Sequence, residues 1–267
     1  MIKLVRRRPT NRLIRPQVTG KGKAQVPTKK QFKNILWQAS RGSLGTRNVA
    51  IIWMLFGSAC RITEAIKLKV SDLLYSNGEL KSTFTIPEKH TKTNKSRIAF
   101  ILAKTHRAAL EAWIDEMVEG NAWCAGNTEY RGLNKDKPVF PTRRGKTWKS
   151  LNFQTKRYKD KDGNELTTEV CSSMQNLISN IFKNSGLFGG STHSGRRSLA
   201  TWLDNLDIDL EIIQGILGYS DPEMTLEYID VNFDRIQKAF DKSFSGIVLP
   251  DFGEQLISSP KNGLNKE

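Results

Sequence analysis

Two spacings of apolar residues run along the chain, and together they predict a mostly helical protein with a small sheet. Phe32, Ile35, Leu36 and Ala39 recur on one helical face, and Thr28 before them offers a hydroxyl for the N-cap. Residues 46–58 are apolar almost all round, which predicts a helix buried on every side. Residues 59–65 read as the start of a further helix. Leu80, Ser82, Phe84 and Ile86 then alternate with their neighbours, and residues 97–102 are β-rich. The polar stretch 87–96 between them completes a predicted antiparallel hairpin. Helical spacing returns at residues 104–118 through Leu110, Trp113, Ile114 and Met117. Residues 119–137 and 156–168 are polar and rich in Gly, Asn, Lys and Asp, so loops are expected there. Further helices are expected at residues 169–184, 191–204, 209–217 and 232–244, with Gly186 and Gly218 closing the first and third. Asp221-Pro222 reads as another helix start. The expected class is α+β, mostly α with a small antiparallel β-sheet. The expected layout is an arm (1–27), one domain (28–245) and a tail (246–267).

Charge changes this picture. The 267 residues carry 42 Lys and Arg against 27 acids, a net charge of +15. The first acid is Glu64, and residues 1–63 hold 14 Lys and Arg, so nearly all the excess is N-terminal. Such a block points to a polyanion, nucleic acid first and an anionic membrane second. Arg6, Arg7, Arg8, Arg12, Arg15, Lys21 and Lys23, broken by Pro9, Pro16 and Pro27, read as a segment that tracks DNA phosphates and is disordered without them. The longest apolar run, residues 49–57, is too short to span a bilayer, and the basic start has no apolar segment behind it. Cys60, Cys124 and Cys171 show no metal-ligand spacing and fit a reducing cytosol, with no zinc site. No phosphate loop and no internal repeat is present.

Three places carry candidate chemistry. His193 and Arg196 lie three apart at the opening of a helix, where free N–H groups and the dipole favour an anion. The pair suits a phosphate, since Arg clamps oxygens in a fork and His moves a proton near neutral pH. A capping His beside a surface Arg fits the same spacing. Arg61 stands at the edge of an apolar run, where a guanidinium is costly unless paired. It reads equally as an internal ion pair with Glu64 or as a second anion clamp oriented by that Glu. Tyr228 lies 32 residues after Arg196, across one helical hairpin that can return it to the same pocket.

Ala59-Cys60-Arg61-Ile62-Thr63-Glu64-Ala65, Thr91-Lys92-Thr93-Asn94-Lys95-Ser96-Arg97, His193-Ser194-Gly195-Arg196, Leu217-Gly218-Tyr219-Ser220-Asp221 and Thr225-Leu226-Glu227-Tyr228 together resemble the catalytic domain of the tyrosine recombinases, the phage integrase family. The resemblance spans roughly residues 28–243, and five separated motifs agree in order and spacing. It implies the DNA breaking and rejoining fold. It also implies a site-specific recombinase that cuts and rejoins DNA through a 3′-phosphotyrosyl intermediate, for integration or excision of a mobile element or for DNA inversion. Tyr228 would be the nucleophile, Arg61 and Arg196 would grip the non-bridging oxygens, Lys92 would protonate the leaving 5′-oxygen, and His193 would take the tyrosine proton. Glu64 would orient the pocket. Lys89 and Lys95 are rivals of Lys92. Tyr219 stands where the family has His or Trp, and is expected to donate one hydrogen bond and to pack. Arg197 joins the arm as an expected DNA contact.

The resemblance implies no metal and no cofactor. The implied partners are double-stranded DNA bearing specific sites and further copies of the chain, a dimer on one site and a tetramer in synapsis, with no membrane. It places the protein in the cytoplasm, on the nucleoid when bound. Only 27 residues precede the matching part, which implies the short form without a separate DNA-clamping domain, as in the fimbrial-switch invertases. Two alternatives share these features: a type IB topoisomerase, and a DNA-binding regulator with a degenerate pocket.

Overall fold

The computed structural model describes residues 24–90, 96–159, 163, 165–206, 208–218 and 233–248. Its first helix, α1 (Lys29–Ala39), starts where a capping box forms: the Thr28 hydroxyl accepts from the Gln31 N–H at 3.2 Å, and the Gln31 side chain accepts from the Thr28 N–H at 2.9 Å. Phe32, Ile35, Leu36 and Ala39 are its buried face. Helix α2 (Gly45–Gly57) is the centre of the molecule, buried on all sides as its composition requires. It packs against α1, α3 (Ile62–Ile66), α5 (Lys104–Glu119) and α7 (Ser194–Asp204). Trp53, Phe56 and Phe32 form an aromatic nucleus with Trp202 and Phe244. Each such side chain contributes roughly 1.5–3 kcal/mol by leaving water.

Glycine permits two of these contacts. A Cβ at Gly195 would stand 2.5 Å from the backbone of Leu55, so α7 crosses α2 in direct backbone contact. A Cβ at Gly57 would stand 2.6 Å from Nδ1 of His106. His106 lies buried beneath it, its ring stacked on Trp53. Neither ring nitrogen of His106 has a hydrogen-bond partner, and burial lowers its pKa to about 3, so it is a neutral core residue.

The short α4 (Val70–Leu73) leads to β1 (Thr83–Ile86), which pairs antiparallel with β2 (Arg97–Phe100), from Thr83 opposite Phe100 to Ile86 opposite Arg97. Phe84, Ile86, Arg97 and Ala99 face inward on this hairpin. Helix α6 (Ser172–Asn184) flanks α1. Helix α8 (Leu210–Leu217) packs on α7 and β2. Helix α9 (Phe233–Ser243) brings Phe240 and, just past its end, Phe244 onto the nucleus, where the Lys29 ammonium lies 4.2 Å from the Trp202 ring centre. The protein is thus mostly α with small antiparallel sheets. Among the described residues no helix is long and apolar enough to cross a membrane.

The structure corrects three expectations. Among the described residues the strands form three separate two-stranded sheets rather than one: β1–β2, β3 (Thr142–Arg144) with β4 (Thr147–Lys149), and β5 (Gln154–Lys159) with β6 (Glu165–Val170). The stretch 156–168, expected as loop, is largely that last hairpin. The residues described on both of its strands are mainly exposed, so no apolar alternation marks them; Thr155, Arg157, Thr167 and Thr168 are held by cross-strand pairing. For the same reason α6 begins at Ser172 rather than at residue 169, because Glu169 and Val170 belong to β6.

Residues 24–27, assigned to the arm on composition, lie against the body. The Gln25 N–H donates to the Gly189 carbonyl, Val26 packs on the core and Pro27 is buried. Residues 1–23, with every basic side chain singled out in the arm, lie outside the described residues.

Candidate active site

The site begins where α2 ends. Ser58 caps the helix and its hydroxyl donates to the Phe100 carbonyl at 2.6 Å. Ala59 then takes a left-handed conformation, φ +51°, which is uncommon for a residue with a Cβ. Arg61 follows as the N-cap of α3, two residues after this bend. The carbonyl oxygen of Ala59 accepts from two arginines distant in sequence, Arg97 through Nη2 at 3.0 Å and Arg196 through Nη1 at 3.1 Å.

Glu64 completes the arrangement. Its side chain is fully buried at the first turn of α3. One oxygen accepts from the Arg61 N–H and from Arg97 Nη2, both at 2.8 Å; the other accepts from Arg61 Nη1 at 2.6 Å. Burial alone would raise the Glu64 pKa. The Arg97 charge, the Arg61 N–H and the Arg61 charge outweigh it and hold the carboxyl below its ordinary range. Glu64 is therefore ionised at neutral pH. Arg61 is paired with Glu64, and its side chain keeps 24% of its surface exposed, against 6% for Arg97.

Helix α7 supplies Arg196. Its Nη2 also donates to the Leu217 carbonyl at the C-terminus of α8, the end of a helix that favours a cation. Gly218 ends α8 at φ +61°, and a Cβ there would lie 2.5 Å from Cδ of Arg97. Glycine is needed at this position for conformation and for room. A continuous set of hydrogen bonds thus joins Arg61, Glu64, Arg97, the Ala59 carbonyl and Arg196. Three guanidinium groups stand against one carboxylate, so the group carries an uncompensated positive charge suited to an anion.

His193 occupies the N-cap position of α7, with its N–H donating to the Ser191 hydroxyl at 3.2 Å and its carbonyl accepting from the Arg197 N–H. It is therefore one turn from Arg196, as the spacing requires. Arg197 turns the other way and donates through Nη1 to the Ala24 carbonyl. The structure accordingly brings Arg61, Glu64 and Arg196 into one network and puts His193 beside it. Lys92, Tyr219 and Tyr228 lie outside the described residues, and so does Lys95.

Sequence reasoning misses Arg97. It stands inside one of the five motifs, yet its surroundings mark it only as the start of a strand. Its signal is a matter of phase: Arg97 shares the inward face of β2 with Ala99, so the alternation that buries the alanine buries a guanidinium too.

Near the turn after β1 lies a second basic feature, an open cleft of about 440 Å³ lined by Lys67, Lys69, Lys89, His90, Asp136 and Glu169 among others. Its acids are engaged, Glu169 with Lys67 at 2.5 Å and Asp136 with Lys69 at 3.2 Å. Among the described residues no group of three or more His, Cys, Asp or Glu could hold a metal ion. Cys60 and Cys171 are buried and Cys124 is exposed, all as free thiols.

Comparison with known proteins adds the following. The sequence profile of the phage integrase family matches residues 25–235. The chain is similar to the tyrosine recombinase XerC of Bifidobacterium longum (strain DJO10A), 22% identical over 198 residues, covering 74% of this chain and 47% of that protein. It is also similar to the tyrosine recombinase XerC of Bacillus pumilus (strain SAFR-032), 26% identical over 197 residues, covering 74% of this chain and 53% of that protein. The chain thus spans about half the length of the curated relatives it matches. Among solved structures, the crystal structure of XerA recombinase aligns at 19% identity and a TM-score of 0.49, covering 84% of this chain and 66% of that chain.

Proposed function

The chain belongs to the phage integrase family, and from that membership we propose that it cuts and rejoins DNA strands as a tyrosine site-specific recombinase. The observation that carries this reading is the joined set of Arg61, Glu64, Arg97 and Arg196, with its surplus positive charge beside His193. A phosphodiester in transit through a five-coordinate state gains negative charge on its non-bridging oxygens. Guanidinium groups fixed in advance stabilise that state more than the ground state.

In this reaction the Tyr228 oxygen attacks phosphorus, the bond to the 5′-oxygen breaks, and a 3′-phosphotyrosyl bond forms. His193 takes the phenol proton, which a side chain of pKa about 10 does not release unaided at neutral pH. Lys92 gives a proton to the departing 5′-oxygen. Arg61 and Arg196 hold the non-bridging oxygens. Tyr219 donates a hydrogen bond and packs beside them. The reverse step, with a 5′-hydroxyl from another strand, rejoins the DNA with no external energy source. DNA with specific sites is the substrate, and the chain works as a dimer on one site and a tetramer in synapsis. The basic segment 1–23 and Arg197 add backbone grip. The compartment is the cytoplasm, with the nucleoid as the place of work.

The test is a nicked trapping substrate that loses its 5′-hydroxyl fragment after cleavage. Wild-type protein should become covalently linked to DNA, and Tyr228→Phe should not. No adduct with wild type, or an undiminished adduct with the variant, would falsify the reading. Relaxation of plasmids that lack any specific site would instead identify a topoisomerase. Salt-sensitive binding without cleavage would identify a regulator.

A further inference from the structure

We infer that Arg97 is a positioning residue for strand cleavage, which fixes the separation and direction of the two arginines that grip the phosphate. The inference rests on the recombinase reading. Arg97 reaches both arginines through different intermediaries. Its Nη2 shares the Ala59 carbonyl with Arg196, and the same nitrogen donates to the Glu64 oxygen that also accepts the Arg61 N–H. The other Glu64 oxygen holds the Arg61 side chain. Arg97 is itself confined, since Gly218 leaves no room for even a methyl group above its Cδ. Loss of Arg97 frees the Glu64 carboxylate to pull Arg61 towards the interior, and leaves Arg196 alone on the carbonyl.

The Arg97 charge does stabilise the buried Glu64 carboxylate, but that pairing alone does not account for the other donors of its fork. Nε and Nη1 of Arg97 are buried without a hydrogen-bond partner, which is a cost. The neighbouring Cys60 thiol, which burial pushes up to about 12, stays neutral and cannot offset the charge. An apolar side chain of similar length would leave no donors unmet, but it would strip the buried Glu64 carboxylate of its inner partner. What such a side chain could not do is hold Glu64 and Ala59 at once. The left-handed bend at Ala59 is a strained feature, and its carbonyl accepts from both arginines.

The experiment compares wild type with Arg97→Lys and Arg97→Gln on trapping substrates. Melting curves check the fold, and DNA affinity is measured separately. A misplacement of about 1 Å at the phosphate grip costs roughly 100-fold in rate, so single-turnover cleavage by both variants should fall on that order. Affinity for the uncleaved site should change less than about twofold, because contacts elsewhere dominate binding. A second substrate carries a neutral methylphosphonate at the scissile position, with one charged oxygen replaced by methyl. There the need for placed guanidinium groups is reduced, and the variants' deficit should shrink to below about tenfold. A deficit equal on both substrates would make Arg97 a general structural residue and overturn the assignment. So would variants that cleave like wild type, or that no longer melt cooperatively. A wild type that forms no adduct sinks the recombinase reading itself, an outcome distinct from all of these.

Discussion

Arg97 and Arg196, 99 positions apart, donate to the same oxygen, the Ala59 carbonyl, at 3.0 and 3.1 Å. One peptide group at the end of the central helix therefore sets the place of a strand arginine and a helix arginine together. Because α2 is buried on all sides, that peptide is anchored to a close-packed helix.

The first consequence concerns Arg196. Its fork holds two carbonyls, on Ala59 and Leu217, at once. A lysine supplies the charge but not the fork. Arg196→Lys should lower single-turnover cleavage by roughly 100-fold or more while leaving the affinity for DNA nearly intact. Quantifying adduct against time on the trapping substrate checks it. Full activity in the variant would show that charge alone suffices.

Gly195 tests the crossing of α7 over α2. A methyl group there meets the Leu55 backbone at 2.5 Å, and backbone yields poorly. Gly195→Ala should destabilise the protein by about 1–3 kcal/mol through overpacking. Urea titration should show a lower midpoint at unchanged slope. Because Arg196 is the next residue, cleavage should fall in the same variant even below its melting temperature.

Acid tests His106. Its folded pKa is lowered to about 3 from an ordinary 6.5 by burial. Between those values the unfolded chain binds a proton that the folded chain refuses, so stability rises with pH across the window. The contribution is complete above pH 6.5 and is lost progressively below it. Burial also lowers His90, which adds a slope of the same sign. Melting temperatures from about pH 7.5 to about pH 5 should fall for wild type and fall less steeply for His106→Leu. Parallel slopes would count against a neutral buried imidazole. Glu64, whose pKa is also lowered, acts further into acid, where its loss should release Arg61 and Arg97 together.

The basic segment is tested by a deletion that spares every described residue. Residues 24–27 touch Gly189, Arg197 and the core, so the cut belongs after residue 23 rather than after residue 27. Deleting residues 1–23 should weaken DNA binding and flatten the dependence of log affinity on log salt by about 0.9 for each phosphate that the segment neutralises. An unchanged slope would mean that the segment does not touch phosphate.

Much of the fold was legible in the sequence because helix faces are a local property. Thr28 and Gln31 cap α1 within four residues, and Phe32, Ile35, Leu36 and Ala39 recur at a spacing that only a helix puts on one side. The central helix declared itself by having no polar face. The hairpin β5–β6 did not, because strand alternation is visible only when one face is buried, and its described residues are exposed on both strands.

The site divides along the same line. Arg61 and Glu64, three apart, and His193 and Arg196, three apart, could be paired from spacing alone, since a helical turn places such residues side by side. No periodicity connects Arg97 with Glu64 across 33 positions, or Arg196 with Ala59 across 137. Those meetings are made by the packing of α7 on α2 and of β2 under α8, and by a left-handed turn at an alanine, a residue with no preference for one. The sequence by itself determined which residue types were available and how neighbours along a helix face one another. Tertiary packing alone decided which distant charges share an oxygen, because contact between remote segments follows from the burial of whole faces and not from any local pattern.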